Sequence, residues 1–115
     1  MSQKLFSDLN MLGHSLFNIG TVQSSGAGTI TVTATDVKVR FTGTGQTGNL
    51  PATASVPDGR RITFCDAGNN ASTSPITITA NGADTISAAA VSSIQLDTSG
   101  GSITLEKYGT SWDWI

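Results

Sequence analysis

Threonine and apolar residues alternate strictly from residue 29 to residue 35. Successive side chains of a β-strand point to opposite faces, so this period of two predicts a strand with one apolar and one hydroxylic face. The next apolar set, in residues 37 to 41, is shifted by one position, and the alternation changes parity at Asp36. We expect a bulge or a tight turn there, because both runs must contribute to one core.

The second half of the chain continues this pattern in shorter pieces. Isoleucine and threonine alternate, and turns are predicted at Asn81-Gly82 and at Ser99-Gly100-Gly101. The predicted strands are residues 76–80, 84–87, 94–96, 103–105 and 108–115. Their spacing favours successive hairpins, and the fold class is predicted to be all-β, a compact antiparallel domain built as a sandwich or a β-prism.

The first 22 residues differ from the rest, because bulky apolar side chains dominate them without a lasting period. Two interpretations stay open: a segment that packs on its own domain, and an extended arm that docks on another protein. We divide the chain into a docking arm, residues 1–22, and a β domain, residues 23–115. The predicted docking anchors are Leu9, Leu12, Leu16 and Phe17.

Composition predicts a lightly charged surface. Ser and Thr total 31 of the 115 residues, and charged residues make up 12%. A small domain with a thin core gains stability by burying surface between subunits, so we expect an oligomer. The net charge of −2 and six scattered basic residues argue against nucleic-acid binding. No signal peptide or membrane span is predicted, and synthesis in a cytoplasm is expected.

The candidate chemistry is sparse. His14 and Cys65 are the only residues of their types, and the carboxylates are scattered through predicted turns and strand ends. The glycine-rich residues 43–49 are expected to form a mobile loop, since they lack the Gly-Lys-Ser/Thr ending of a phosphate cradle. We therefore predict no catalytic, cofactor-binding or metal-binding residues, no cofactor, and a protein that is not an enzyme.

Three aromatic residues lie near the C-terminus. By period two, Trp112 and Trp114 share one face of the last strand, and Tyr108 lies close by. Such side chains can stack on sugars, and they also form core and subunit contacts. We favour the second interpretation and predict that Tyr108, Trp112 and Trp114 lie at a subunit interface, because the chain has few other large residues to bury.

Several short motifs occur in a fixed order along the chain. They are Asp8-Leu9-Asn10-Met11-Leu12-Gly13-His14, Pro75-Ile76-Thr77-Ile78, Asp84-Thr85-Ile86, Gly101-Ser102-Ile103-Thr104-Leu105 and Gly109-Thr110-Ser111-Trp112. In this order they resemble segments of bacteriophage tail fibres and related virion appendages. Those modules often carry a glycine after the Thr-Ile pair, whereas this chain has Ser87-Ala88, so the local turn is expected to differ. The resemblance implies a homotrimer.

The resemblance and the size of the chain lead to two expected functions. A complete tail fibre must reach from the tail to the receptor, so 115 residues favour a head decoration or cement protein on the virion surface, with the major capsid protein as partner. The alternative is a receptor-binding fibre tip that recognises a host surface glycan through loops 43–49 and 66–74. A bacterial carbohydrate-binding module ranks third.

Overall fold

The computed structural model describes residues 20–87 and 89–115, and within them the chain forms ten strands and one 3₁₀ turn, Thr53–Ser55. The strands are β1 (Thr21–Ser25), β2 (Thr29–Thr31), β3 (Asp36–Phe41), β4 (Thr47–Asn49), β5 (Arg61–Asp66), β6 (Ile76–Thr79), β7 (Thr85–Ile86), β8 (Ser93–Leu96), β9 (Ser102–Tyr108) and β10 (Ser111–Trp114). The described part of the chain is thus mostly β, as predicted.

The strands form two sheets. The larger has the order β1-β3-β5-β9-β10-β7 and the smaller has the order β2-β4-β6-β8. From β1 to β6 the chain passes alternately from one sheet to the other, and each strand lies parallel to the previous strand of its own sheet. These six strands therefore make three stacked coils of a β-solenoid, in which each coil contacts its neighbours. Strand β8 then pairs with β6 in the smaller sheet, and strand β9 pairs with β5 in the larger sheet, both in antiparallel orientation.

The prediction of a purely antiparallel domain was wrong. Five of the eight strand pairings within the described residues are parallel. The physical reason is that a period of two shows which face of a strand is buried but not the direction of its neighbour. The turns after β1 to β5 carry the chain across to the opposite sheet. Among the described strands, only β9 and β10 form a hairpin of consecutive strands.

The core lies between the two sheets. The apolar face predicted for residues 29 to 35 is confirmed, since Ile30 and Val32 are buried. The rings of Phe41 and Phe64, on adjacent strands, stack with their centroids 6.2 Å apart. Gly48 faces them from the smaller sheet, and a Cβ there would lie 2.8 Å from Phe41 Cζ. A side chain at this position would therefore displace the ring, which is why β4 has a glycine in its centre.

The change of parity at Asp36 corresponds to a tight turn, as predicted. The Asp36 amide donates to the Thr33 carbonyl at 3.2 Å. The buried carboxylate accepts hydrogen bonds from the Thr33 amide at 2.8 Å, from Gln23 Nε2 at 2.5 Å and from the Thr21 hydroxyl. Burial would raise the pKa of Asp36, but these donors favour the charged form and hold the pKa below its usual value. Asp36 thus ties β1 to the turn between β2 and β3.

The segment predicted as a mobile loop, residues 43–49, contains strand β4 and a buried glutamine. Gln46 Oε1 accepts a hydrogen bond from the Gly43 amide at 2.7 Å. Its Nε2 donates to the Ser25 carbonyl at 3.0 Å and to the Ala27 carbonyl. One side chain therefore links the turn after β1 to the turn before β4, which fixes the first two coils against each other.

The predicted boundary between arm and domain shifts by a few residues. Thr21 and Val22, assigned to the arm from the sequence, belong to β1 and pair with β3. Residues 1–19, including the predicted anchors, lie outside the described residues. Thr21 and Val22 are therefore part of the β domain.

The turn that follows β7 has a residue in the left-handed region of backbone conformation. Ser87 has a φ of 65°, in the region that glycine enters most easily. Its amide donates to the Trp112 carbonyl at 2.7 Å. Ser87 thus adopts a backbone conformation that glycine enters at lower cost.

Candidate binding site

The stack of strands has two different ends. At the N-terminal end, β1 and β2 are the edge strands of their sheets, and each has no strand on its outer side among the described residues. Val22 on β1 is 59% exposed. An exposed strand edge presents unpaired backbone donors and acceptors and is a ready template for another chain. The N-terminal end is therefore suited to association.

The opposite end carries a pocket with a volume of about 320 Å³. It lies where the end of β8, the turn after it, the start of β9 and the end of β10 meet. Its apolar lining residues are Leu96, Ile103 and Trp114, and its polar lining residues are Gln95, Asp97, Thr98 and Ser102. Leu96 and Ile103 are buried core residues, whereas Trp114 is 56% exposed. The pocket thus combines a core-like floor, an aromatic wall and a polar rim.

The position of Trp114 follows from the register of the last hairpin. Trp112 pairs with Lys107, and Trp114 pairs with Leu105, nearer to the start of β9. Alternation puts both indoles on one face, as predicted, and Trp112 is fully buried in the core. Trp114 lies one step further along β10, beside the end of β8 at Leu96. Since the facing strand ends there, the second indole stays half exposed.

The turn that contains Gly100 and Gly101, beside the pocket, is fixed by hydrogen bonds to Asp66 at the end of β5. Asp66 is buried, and its Oδ2 accepts hydrogen bonds from the Ala71 amide at 2.9 Å and the Gly100 amide at 3.1 Å. Its own amide donates to the Gly101 carbonyl at 3.0 Å. Burial would raise the pKa of Asp66, but the backbone donors stabilise the carboxylate, and the pKa falls below its usual value.

Glycine is required twice in this turn. Gly100 has a φ of 72°, which strains any residue with a Cβ. At Gly101, a Cβ would lie 2.9 Å from the Thr98 carbonyl oxygen and 3.3 Å from Leu96 Cδ1. The Ser99 hydroxyl also contacts the Ser72 hydroxyl at 2.7 Å and accepts from the Ser72 amide at 3.1 Å. The wall of the pocket is therefore preorganised by loop 66–74.

The predicted site residues have three different environments. Trp112 lies in the core of the chain itself, so its buried side chain has no surface to offer to a second subunit. Trp114 lines the pocket. Tyr108 lies at the tip of the last hairpin, 69% exposed, and does not line the pocket. The docking anchors in residues 1–19 lie outside the described residues.

The sequence did not reveal the polar residues of the pocket. Gln95, Asp97 and Ser102 flank a turn that was predicted from Ser99-Gly100-Gly101, and that turn was the one available signal. The missing information was that Trp114 at the end of β10 and Leu96 at the end of β8 line one pocket, because the two strands belong to different sheets. The period of the apolar residues and the residue types in the turns do not show which parts of two different sheets lie close together.

Other charged groups of the described residues hold the fold together. Asp84 accepts from the Thr53 amide at 2.8 Å and from the Thr53 hydroxyl at 2.9 Å. Lys107 Nζ lies 2.8 Å from Asp58 Oδ1. No group of three His, Cys, Asp or Glu side chains within residues 20–87 and 89–115 is arranged to hold a metal ion. Within the same ranges, no helix has the length and apolar character needed to cross a membrane.

A comparison with known protein families gave no matching family model, and a comparison with curated protein sequences gave no significant match.

Proposed function

We propose that the chain is a structural protein of a bacteriophage virion surface, a head decoration protein that attaches through its N-terminal end and works as a homotrimer. The observation that carries this proposal is the polarity of the strand stack. The unpaired edges of β1 and β2 lie at the end where the chain enters the domain, and the opposite end, where β7 and β8 are the edge strands, bears the pocket. An attachment end and a projecting end are what a decoration protein needs.

The attachment end combines two features. Strands β1 and β2 offer unpaired backbone groups, and the exposed Val22 adds apolar surface beside them. The apolar segment that contains Leu12 and Leu16 directly precedes this edge in the sequence. Binding to the major capsid protein would bury both the apolar groups and the strand edges, and apolar burial is the main source of affinity in such contacts.

The composition of the outer surface agrees with a structural role. On the smaller sheet, threonine and asparagine pair across the coils: Thr29, Thr47 and Thr77 form one row, and Thr31, Asn49 and Thr79 form the next. Hydroxyl and amide side chains keep this surface hydrated without a strong charge. Many copies of such a domain can lie close together on a shell with little electrostatic repulsion.

The test of this proposal is the location of the protein in the virion. Purified particles of the encoding phage are separated into heads and tails, and the protein is quantified in each fraction against the major capsid protein. A copy number that follows the major capsid protein in the head fraction supports decoration. Absence of the protein from both fractions would overturn the proposal of a virion component.

A second candidate is a receptor-binding fibre tip, and the pocket at the projecting end favours it. A half-exposed tryptophan beside polar side chains, far from the attachment edge, is the arrangement expected of a recognition surface. In the fractionation experiment this candidate predicts a few copies of the protein in the tail fraction and none in empty or filled heads.

A further inference from the structure

The Trp114 pocket, defined by the seven residues named above and by Gly101, has the chemistry of a sugar site. We propose that it binds a neutral saccharide of one or two hexose units. The inference goes beyond virion attachment, because a sugar site is compatible with a head or a tail location and can be measured on the isolated protein. The argument rests on the aromatic wall, the polar rim, the local charge and the rigidity of the turn.

The aromatic wall is the first argument. Trp112 shows that this core accepts a complete indole, yet Trp114, two residues later, remains 56% exposed. The C–H face of a hexose is apolar and packs on an aromatic ring, whereas its hydroxyl groups remain in contact with polar groups and water. Leu96 and Ile103 extend the apolar surface below the indole.

The polar rim matches the edge of a sugar. Four polar residues, Gln95, Asp97, Thr98 and Ser102, line the pocket, and residues of these types supply both hydrogen-bond donors and acceptors. A hexose hydroxyl is also donor and acceptor, so it needs a mixed rim of this kind. Small-molecule sites typically combine an apolar lining with a few convergent polar groups. A binding site for a second protein chain would more commonly have a wider apolar surface.

Charge decides between neutral and acidic sugars. Among the described residues that line the pocket, Asp97 is the only charged side chain, and no Lys or Arg is present. The whole chain carries a net charge of −2. A sugar with a carboxylate or phosphate group would place like charges together without a cation to offset them. The pocket therefore favours neutral sugars.

Size and rigidity limit the ligand. A volume of about 320 Å³ lies at the lower end of the range for small-molecule sites, which suits one or two sugar units. The turn that forms one wall is fixed by Asp66 through Gly100 and Gly101. A site that is already ordered loses little conformational entropy on binding.

The test is a titration of the full-length protein with glucose, galactose, N-acetylglucosamine and sialic acid, followed by NMR of the tryptophan indole N–H signals. We expect a saturable shift of the Trp114 signal with at least one neutral sugar and none with sialic acid. Trp114→Ala should weaken binding roughly tenfold or more, and Trp114→Phe should retain part of it. Val22→Ala is the control, since Val22 is an exposed apolar residue on β1 outside the pocket, and the sugar affinity of this variant should equal that of the parent.

Three results would overturn the inference: no saturable shift with any of the neutral sugars, equal binding by Trp114→Ala and the parent, or tighter binding of sialic acid than of neutral sugars. A change of oligomeric state in Trp114→Ala without sugar binding in the parent would assign the indole to a subunit interface instead. None of these results alters the distribution of the protein between heads and tails, so the virion proposal is tested separately.

Discussion

Two tryptophans that are two residues apart have different environments, and the difference illustrates what a sequence pattern reports. The period of two correctly put Trp112 and Trp114 on the same face of β10. It could not report that strand β8 of the other sheet ends at Leu96 or that Trp114 lies beside this strand end, in the same pocket. The face to which a side chain points is a local property of its own strand, whereas the burial of that side chain depends on a strand of the other sheet.

This difference predicts unequal effects on stability. Trp112→Ala removes a fully buried indole and should lower the free energy of unfolding by about 3–5 kcal/mol. Trp114→Ala removes a half-exposed indole and should lower it by about 1 kcal/mol or less. Urea denaturation of the full chain, followed by circular dichroism, measures both values. Equal destabilisation by the two substitutions would contradict the assignment of Trp112 to the core.

The carboxylate of Asp66 predicts acid sensitivity. Its pKa is lower in the folded chain than the ordinary value of 3.8, so its stabilising effect is complete above that value. Stability is then lost as the pH falls through about 4 toward the folded pKa, because the unfolded chain takes up the proton first. Asp36 and Asp58 also have lowered pKa values and contribute in the same direction.

Asp66→Asn should therefore lower stability by about 1–3 kcal/mol at pH 7, since charged hydrogen bonds to two amides are lost. It should also flatten the dependence of stability on pH between about 5 and 3. The measurement is urea denaturation of parent and variant across this range. Parallel pH curves for the two proteins would show that Asp66 is not a source of the acid sensitivity.

At the scale of elements, the sequence revealed strands better than their connections. The predicted strands of the C-terminal half correspond to β6 to β10 within a few residues. The coils could not be recognised because they differ in length: a long segment with a 3₁₀ turn, Thr53–Ser55, enters between β4 and β5. Without a fixed repeat, no period reveals that β1, β3 and β5 stack in parallel.

Gln46 provides a test of the coil arrangement. Gln46→Ala should lower the free energy of unfolding by about 2–3 kcal/mol, because a buried side chain that bonds to three backbone groups is lost and those groups are left unpaired. Gln95→Ala is the matched control on an exposed position and should change stability by about 0.5 kcal/mol or less. Similar values for both variants would contradict the role of Gln46 in joining the coils.

At the scale of the whole molecule, the trimer remains a prediction. The described chain exposes Tyr108, Val91 and Ile115 near its projecting end, and a subunit contact would bury such groups. Native mass spectrometry of the full chain should therefore show a species of three times 11.8 kDa. Tyr108→Ser should shift the population toward smaller species. A clean monomer at micromolar concentration would contradict the prediction.

The sequence alone suggested an attachment segment, and the topology adds a reason for its position, since β1 and β2 are open edges. What the sequence could not provide is the distance between the two ends. Four strand spacings separate β1 from β10 in the larger sheet, which corresponds to roughly 19 Å. A partner bound at the N-terminal edge therefore leaves the Trp114 pocket accessible.

The measurement that tests the central claim most directly is binding to purified heads from phage that lack this protein. The full chain is compared with a variant in which Leu9, Leu12, Leu16 and Phe17 are replaced by Ser, and with Trp114→Ser as a control at the opposite end. The account predicts that the full chain and Trp114→Ser bind in the same stoichiometry, while the N-terminal variant remains folded and stays in solution. Equal binding by the N-terminal variant, or unfolding of its β domain, would contradict attachment through the N-terminal end.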